Sequence, residues 1–83
     1  MHLDVITPDK KVFDGEAAGV QLPGSDGSFE ILNNHAPFIT TLDKGTMKIR
    51  TTDKNTETME ISGGVVEVLA NKVVVLAESV VKQ

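Results

Sequence analysis

The sequence predicts an all-β protein, a two-sheet β-sandwich or flattened barrel, and three observations support this prediction. Short runs rich in Val, Ile and Thr alternate between apolar and polar residues at period two. Gly, Pro, Asn and Asp interrupt the runs at short, regular intervals. Hardly any segment shows the 3.6-residue spacing of an amphipathic helix. Runs this short and evenly spaced are typical of a sandwich in which two sheets share one core.

The length of the chain favours one domain over residues 1–83. The 83 residues have a mass of 8.9 kDa, and 40% of them are apolar. A chain of this size buries only about 60–65% of the surface that it exposes when unfolded. We therefore expect a docked partner to stabilise it.

The first two predicted strands flank a turn that contains proline. The run His2–Thr7 alternates and ends in the turn of residues 7–9. A second run, Ala17–Leu22, is predicted to stop at Pro23, which has no backbone N–H group. In the loop that follows, Asp26-Gly27 is typical of a tight hairpin turn.

The middle of the chain predicts a strand, a loop and a hairpin. Ser28–Leu32 resumes the alternation, and the Pro-containing segment 33–37 cannot lie in a central strand. Thr46–Thr52 places Met47 and Ile49 on one face and charged residues on the other. A loop over residues 53–56 leads to a partner strand, so that the hairpin has one solvated face.

The last third of the chain predicts two more strands. Gly63-Gly64 interrupts the pattern, Val65–Leu69 follows, and Asn71-Lys72 is predicted to turn the chain. The run Val73–Ala77 is almost continuously apolar. We therefore expect it to be buried on both faces.

Charge and composition argue against several classes of function. The net charge is -4, and the basic residues are scattered from Lys10 to Lys82, which argues against a nucleic-acid partner. Without cysteine there is no disulfide, no thiol nucleophile and no thiolate ligand. The longest apolar run is far too short to span a membrane, and the first residues lack a signal-peptide pattern. We expect a soluble protein that is not exported.

No motif predicts catalysis. A metal site would need His2, His35 and a carboxylate to converge from distant positions. His35, in a Pro-bounded loop, is more often a hydrogen-bonded or contact residue. The glycine-rich segment 24–27 joins strand to strand and lacks the helix and the Lys-Ser or Lys-Thr of a phosphate-binding loop. We expect no catalytic residue, cofactor or metal ion.

Met47-Lys48-Ile49 offers an alternative function. Biotin-carrier domains are all-β, similar in length, and modified at a lysine between methionine and an apolar residue. In those domains the lysine projects from a hairpin tip, whereas the alternation here places Lys48 in mid-strand. The sequence favours a solvated strand lysine, and a biotin-carrier-like domain modified at Lys48 stays open as the alternative.

Several segments spread over the whole chain carry a more specific resemblance. They are HLDVITPDKKVFDG (2–15), LPGSDGSFEILNNHAP (22–37), Gly45, SGGVVEV (62–68) and NKVVVLAE (71–78). Their spaced combination resembles the epsilon subunit of the bacterial rotary (F-type) ATP synthase. The sequence departs from the family at Ser28 and Phe29, where members more often have Glu and an aliphatic residue.

The resemblance implies a function in the rotor of the ATP synthase. It implies a non-catalytic central-stalk protein that docks on the gamma subunit and the polar loops of the membrane c-ring and couples ion-driven rotation to ATP synthesis. It also implies a peripheral position on the cytoplasmic face of the bacterial inner membrane, without insertion. Typical members continue into an inhibitory C-terminal helical hairpin. We expect a short, sandwich-only form without it, and therefore neither self-inhibition nor nucleotide binding.

By position, the resemblance also implies two sets of contact residues. The set that faces the gamma subunit is Thr7, His35, Thr40 and Ser62. The set that faces the c-ring is Ser25, Asp26, Gly27 and Ser28. For Gly27 and Gly63, a purely conformational role in the turn is an equal alternative.

Overall fold

The computed structural model describes residues 1–52 and 54–82, and these residues form nine β-strands and no helix. No helix long and apolar enough to cross a membrane is therefore found in that part of the chain. The predicted all-β class is confirmed. The strands are β1 (His2–Ile6), β2 (Lys11–Gly24), β3 (Gly27–Leu32), β4 (Phe38–Leu42), β5 (Gly45–Thr51), β6 (Thr56–Ile61), β7 (Gly64–Leu69), β8 (Lys72–Ala77) and β9 (Val80–Lys82).

The strands form one hydrogen-bonded network that folds into two layers. One layer contains β1, β8, β7 and β4, and the other contains β3, β5, β6 and β9. The long strand β2 joins them, because its first half pairs with β1 and its second half pairs with β3 and β5. β1 and β8 are parallel, and the other pairs are antiparallel. The pair Gly24 and Leu42 links β2 to β4 and closes a flattened barrel of β1, β8, β7, β4 and β2.

One apolar core lies between the layers. Along β5 and β6 its members alternate with more exposed residues, which is the pattern that the sequence predicts for this hairpin. Lys48 and Arg50 are exposed, whereas Met47 and Ile49 are buried. Full burial of each aliphatic side chain contributes about 1.5–3 kcal/mol. The largest fully buried side chains include Leu3, Leu22, Ile31, Met47, Ile49, Met59 and Val66.

Strand β2 differs from its prediction at both ends. It begins at Lys11 rather than Ala17, because its irregular first half is held by pairing with β1 instead of by a buried face. It also runs through Pro23, which was wrongly predicted to end it. The ladder from β2 to β5 ends at Gln21 and Lys48, so the missing N–H of Pro23 interrupts no pair on that side.

Two strands and one burial pattern were not predicted. β4 has apolar residues on both faces and no period-two alternation, and β9 has only three residues. The prediction that Val73–Ala77 is buried on both faces was wrong. Leu76 is 52% exposed, while Val75 and Ala77 point inward, because the described residues cover only one face of β8.

The turns mostly lie within one residue of their predicted positions. The β2–β3 turn is centred on Ser25 and Asp26, one residue earlier than predicted, between the paired Gly24 and Gly27. The β7–β8 turn is centred on Ala70-Asn71 instead of Asn71-Lys72. In the predicted loop 53–56, Asp53 lies outside the described residues.

Candidate functional site

The β2–β3 turn is exposed and firmly held from one side. The backbone N–H of Ser25 donates to the carbonyl oxygen of Thr41 at 3.2 Å, and the two side-chain hydroxyls lie 2.8 Å apart. Ser25 Oγ also donates to Asp43 Oδ1 at 3.3 Å, and the Asp43 N–H donates to the carbonyl of Pro23 at 2.8 Å. These bonds fasten the turn to β4 and to the residues after it. The predicted ring-facing residues, 25–28, are therefore all exposed at a tip of defined shape.

Gly27 is a special case within this turn. Its φ is +123°, a value that disfavours residues with a Cβ, and no atom lies within 4 Å of the place that a Cβ would occupy. Glycine is therefore favoured at this position by the backbone conformation, and not because a side chain would lack room. This favours the conformational alternative for Gly27 and leaves Asp26 as the charged group at the tip.

A shallow cleft separates this hairpin from β4. It is lined by residues 24–29 together with Phe38 and Thr40. The rings of Phe29, Phe38 and His35 follow one another, with centroid separations of 5.5 Å and 5.6 Å, and are called the aromatic row below. Phe38 is 37% exposed. The rings of Phe29 and Phe38 line the cleft and give it an apolar wall.

Three of the predicted gamma-facing residues lie in β4 or next to its ends. His35 contacts Phe38 at the start of the strand, and Thr40 lies in its middle. Gly63, next to Ser62, lies against Leu42 at the other end. Thr40 also lines the cleft beside residues 25–28. The two predicted contact sets therefore border each other at Thr40.

Thr7 and Ser62 lie around one turn, that of Glu78 and Ser79. Ser79 Oγ donates to Ser62 Oγ at 2.9 Å, and the Ser62 N–H donates to the carbonyl of Ser79 at 3.3 Å. Thr7 lines a cleft with Glu78 and Ser79. Its hydroxyl donates to the carbonyl of Lys10 at 3.1 Å, which closes the turn after β1. The structure thus brings Thr7 and Ser62 to the same turn.

The outer face of β4, β7 and β8 carries an apolar patch that the sequence analysis missed. Ile39, Leu69 and Leu76 are 66%, 60% and 52% exposed. Ile39 lies opposite Glu67 on β7, and Leu76 lies opposite Val65. The signal for this patch in the sequence is a set of apolar side chains at outward positions of two neighbouring strands. It could not be recognised because β4, one of these strands, was not predicted. Contiguous exposed apolar surface of this kind marks contact surfaces.

One cluster in the described part of the chain has the composition of a metal site. Ligand atoms of His2, Asp4 and Asp14 all lie within 4.8 Å of one another. The ammonium groups of Lys11 and Lys72 lie 3.6 Å and 3.9 Å from Asp4. They already supply the positive charge that a metal ion would provide. The cluster is best described as an ion-pair network among β1, β2 and β8.

The network changes the protonation of two of its members. The pKa of His2 is raised above 6.5, mainly by its hydrogen bond to Glu16, with desolvation opposing and Asp4 and Asp14 adding to the increase. For Asp14, desolvation would raise the pKa, but the charge and hydrogen bond of Lys11, together with the hydrogen bonds of Asp4 and His2, outweigh it and lower the pKa below 3.8.

Lys48 does not have the setting of a carrier lysine. It lies in the middle of β5, paired with Gln21 on β2 and with Thr58 on β6. Its side chain is exposed, as predicted, and it is remote from the hairpin tip that follows Thr51. The structure confirms the mid-strand prediction, which counts against the biotin-carrier alternative.

Comparison with known proteins agrees with the resemblance seen in the sequence. The family model described as "ATP synthase, Delta/Epsilon chain, beta-sandwich domain" matches residues 1–83. The ATP synthase epsilon chain of Chlorobium limicola is 41% identical over 78 residues, which are 94% of this chain and 89% of the relative. The epsilon chain of Sulfurimonas denitrificans is 42% identical over 81 residues, which are 98% of this chain and 62% of the relative.

Two solved structures share the fold at low sequence identity. A chain of the Euglena gracilis mitochondrial ATP synthase superposes with a TM-score of 0.91 at 20% identity, covering 96% of this chain and 51% of that one. A chain from the Tetrahymena thermophila mitochondrial ATP synthase, in a structure of the central stalk and c-ring, gives 0.84 at 24% identity, covering 98% and 65%.

Proposed function

Because the chain belongs to the family of the β-sandwich domain of ATP synthase Delta/Epsilon chains, we propose that it acts as the epsilon subunit in the central stalk of a bacterial F-type ATP synthase. In this role it is a non-catalytic part of the rotor. It docks on the gamma subunit and on the polar loops of the c-ring, turns with both and couples ion-driven rotation to ATP synthesis. It is peripheral to the membrane, on the cytoplasmic face of the inner membrane. The family match over all 83 residues carries this proposal.

The architecture suits a part that must pass torque without deforming. Two layers that share one core and are joined by the continuous strand β2 resist shear, because sliding them would break backbone ladders and disturb a close-packed interior. A unit charge that crosses the membrane carries about 2.3 kcal/mol per 100 mV. A docking interface of about 800 Å² per partner is adequate for repeated loads of this order.

The contacts follow the geometry of β4 and the β2–β3 turn. The exposed tip at residues 25–28 meets the c-ring, and Asp26 is its only charged group. Thr7, His35, Thr40 and Ser62 meet the gamma subunit along β4 and around the Ser79 turn. The aromatic row lies between the two surfaces and supplies apolar contact area to the gamma side.

The experiment that tests this division is a charge reversal at the tip. Asp26→Lys should weaken attachment to the c-ring more than binding to gamma, because the reversed charge faces only the ring loops. Both are measured by co-sedimentation of the purified chain with isolated gamma subunit and with detergent-solubilised c-ring. Glu57→Lys is the matched control, since it makes the same charge change on β6, outside both contact sets.

Four outcomes bear on the proposal. Loss of ring attachment alone supports the division of contacts. Equal loss of both partners, or loss of neither, contradicts it. If the unmodified chain binds neither gamma nor the c-ring, the proposed function itself is wrong.

A further inference from the structure

His2 contacts three carboxylates at the seam between β1 and β2. Its Nε2 atom lies 2.8 Å from Asp14 Oδ1 and 3.2 Å from Asp4 Oδ1, and its Nδ1 atom lies 3.2 Å from Glu16 Oε2. The register brings them together, because His2 pairs with Glu16 and Asp4 pairs with Asp14. A neutral imidazole has one N–H and can donate from only one ring nitrogen, whereas imidazolium donates from both. Only the protonated ring satisfies this arrangement fully.

Other charged groups reach this seam from each adjoining element. Lys11 on β2 lies 3.4 Å from Asp14 Oδ2 and 3.6 Å from Asp4 Oδ1. Lys72 on β8 lies 3.9 Å from Asp4 Oδ2, and the amino group of Met1 lies 3.8 Å from Glu16. The two lysine side chains are about half exposed, and their ion pairs are longer than the contacts that His2 makes with the same carboxylates.

Asp4 makes the seam sensitive to the loss of a neighbouring positive charge. Its side chain is only 9% exposed although it lies on the outer face of β1. Directly across the seam stands a second carboxylate, Asp14, and like charges at opposed positions of an antiparallel pair repel. Among the described cations, His2 makes the shortest contact to each of these two carboxylates.

We propose that His2 is a pH-dependent clamp that closes the β1–β2 seam when it is protonated and loosens it when it loses its proton. The seam is one of the pairings that close the flattened barrel. Its loosening therefore opens the barrel locally, while β1 keeps its pairing with β8. β1 leads directly to Thr7, so the segment that responds to pH adjoins that turn. The clamp follows from the contacts of His2 and does not depend on the proposed function.

The first measurement is an NMR titration of the His2 side chain in the intact chain. We expect its midpoint to lie above 6.5, the ordinary value for histidine. In Glu16→Gln, which keeps an acceptor oxygen but removes the charge, the His2 midpoint should move down, because the hydrogen bond to Glu16 is the main cause of the raised pKa.

The second measurement is amide hydrogen exchange, corrected for the intrinsic effect of pH. Between about pH 6 and pH 8, protection of the seam amides, such as those of residues 3–5 and 13–15, should fall severalfold. Protection in the β5–β6 hairpin, which contains no histidine, should stay constant. In His2→Gln the seam should lose this pH dependence.

Two results would overturn the clamp. One is a His2 midpoint that Glu16→Gln leaves unchanged. The other is a pH-dependent loss of seam protection that is as large in His2→Gln as in the parent chain. If His2→Gln is too unstable to measure, the exchange profile of Glu16→Gln decides, because its seam should loosen at lower pH than that of the parent.

Discussion

The ring of Phe38 packs edge-to-face on the ring of Phe29, with centroids 5.5 Å apart and an interplanar angle of 78°. Phe38 begins β4, and Phe29 lies in β3 near the exposed turn. The hairpin is also joined to β4 by the Gly24–Leu42 pair and by the hydrogen bonds between Ser25 and Thr41. The aromatic contact is a further attachment of the hairpin to β4, on the side-chain level, and it helps to keep the cleft between them in one shape.

Phe38→Ala should lower the free energy of unfolding by about 1–2 kcal/mol, since an aromatic pair contributes about 0.5–1.5 kcal/mol beyond the area it buries. Phe38→Leu keeps most of the apolar area and should lose less. Urea denaturation followed by circular dichroism measures both. Ile39→Ala is the control, because Ile39 is 66% exposed on the opposite face and should change stability by less than about 0.5 kcal/mol. Equal stability of the Phe38→Ala variant and the parent would contradict the attachment.

Gly64 has no room for a side chain. A Cβ at this position would lie 2.2 Å from the carbonyl oxygen of Leu76 and 3.0 Å from the Cα of Ala77, and φ is +156°. Gly64→Ala should therefore cost about 3 kcal/mol or more, because backbone on β8 has to move. Thermal unfolding measures this loss. Gly15→Ala is the matched control within a strand, since its Cβ would meet the Phe13 ring at an ordinary 3.7 Å. Similar midpoints for the two variants would refute the steric argument.

Strands were predicted best from the sequence where one face is buried and the other is exposed to solvent. Met47 and Ile49 alternate with Lys48 and Arg50, and the structure keeps that alternation. β4 could not be found in this way, because its apolar residues Phe38 and Ile39 are consecutive and lie on opposite faces. Pro23 was wrongly predicted to end β2. The effect of its missing N–H depends on whether a neighbouring strand pairs with the proline on that side, and β5 does not.

The candidate site was predicted as a set of loops but not as a surface. The exposed turn at residues 25–28 was found from its turn residues. The border between the two contact sets at Thr40 depends on the position of β4, and the cluster at His2 depends on the register of β1 against β2. Such registers join residues 10 or more positions apart, and no local pattern in the sequence specifies them.

Ala70 is strained in the β7–β8 turn. Its φ is +52° and that of Asn71 is +59°, as a two-residue turn with two left-handed positions requires. Asn tolerates this region, whereas an alanine there costs about 1 kcal/mol. Ala70→Gly should therefore raise the free energy of unfolding by about 0.5–1 kcal/mol, which the extra flexibility of glycine in the unfolded chain partly offsets. Urea denaturation measures the gain. Ala18→Gly, within β2 and without positive φ, should instead be destabilising, and a gain in both variants would contradict the explanation.

Stability should pass through a maximum between the ordinary pKa values of Asp14 and His2. The pKa of Asp14 is lowered from 3.8, so its contribution is present above pH 3.8 and disappears as the pH falls through the folded value. The pKa of His2 is raised from 6.5, so its contribution is present below pH 6.5 and disappears as the pH rises through the folded value. Both contributions are complete only between these limits. The measurement is the urea midpoint as a function of pH.

Two variants separate the limbs of that pH profile. Asp14→Asn should flatten the acid limb and His2→Gln the limb above pH 6.5, each compared with the parent chain. Asp26→Asn is the control for removal of a carboxylate, because Asp26 is exposed at the β2–β3 turn, away from the seam between β1 and β2. An acid limb that is unchanged in Asp14→Asn would show that the contacts of Asp14 with Lys11 and His2 do not act in solution, since these contacts lower the pKa of Asp14 against the opposing effect of desolvation.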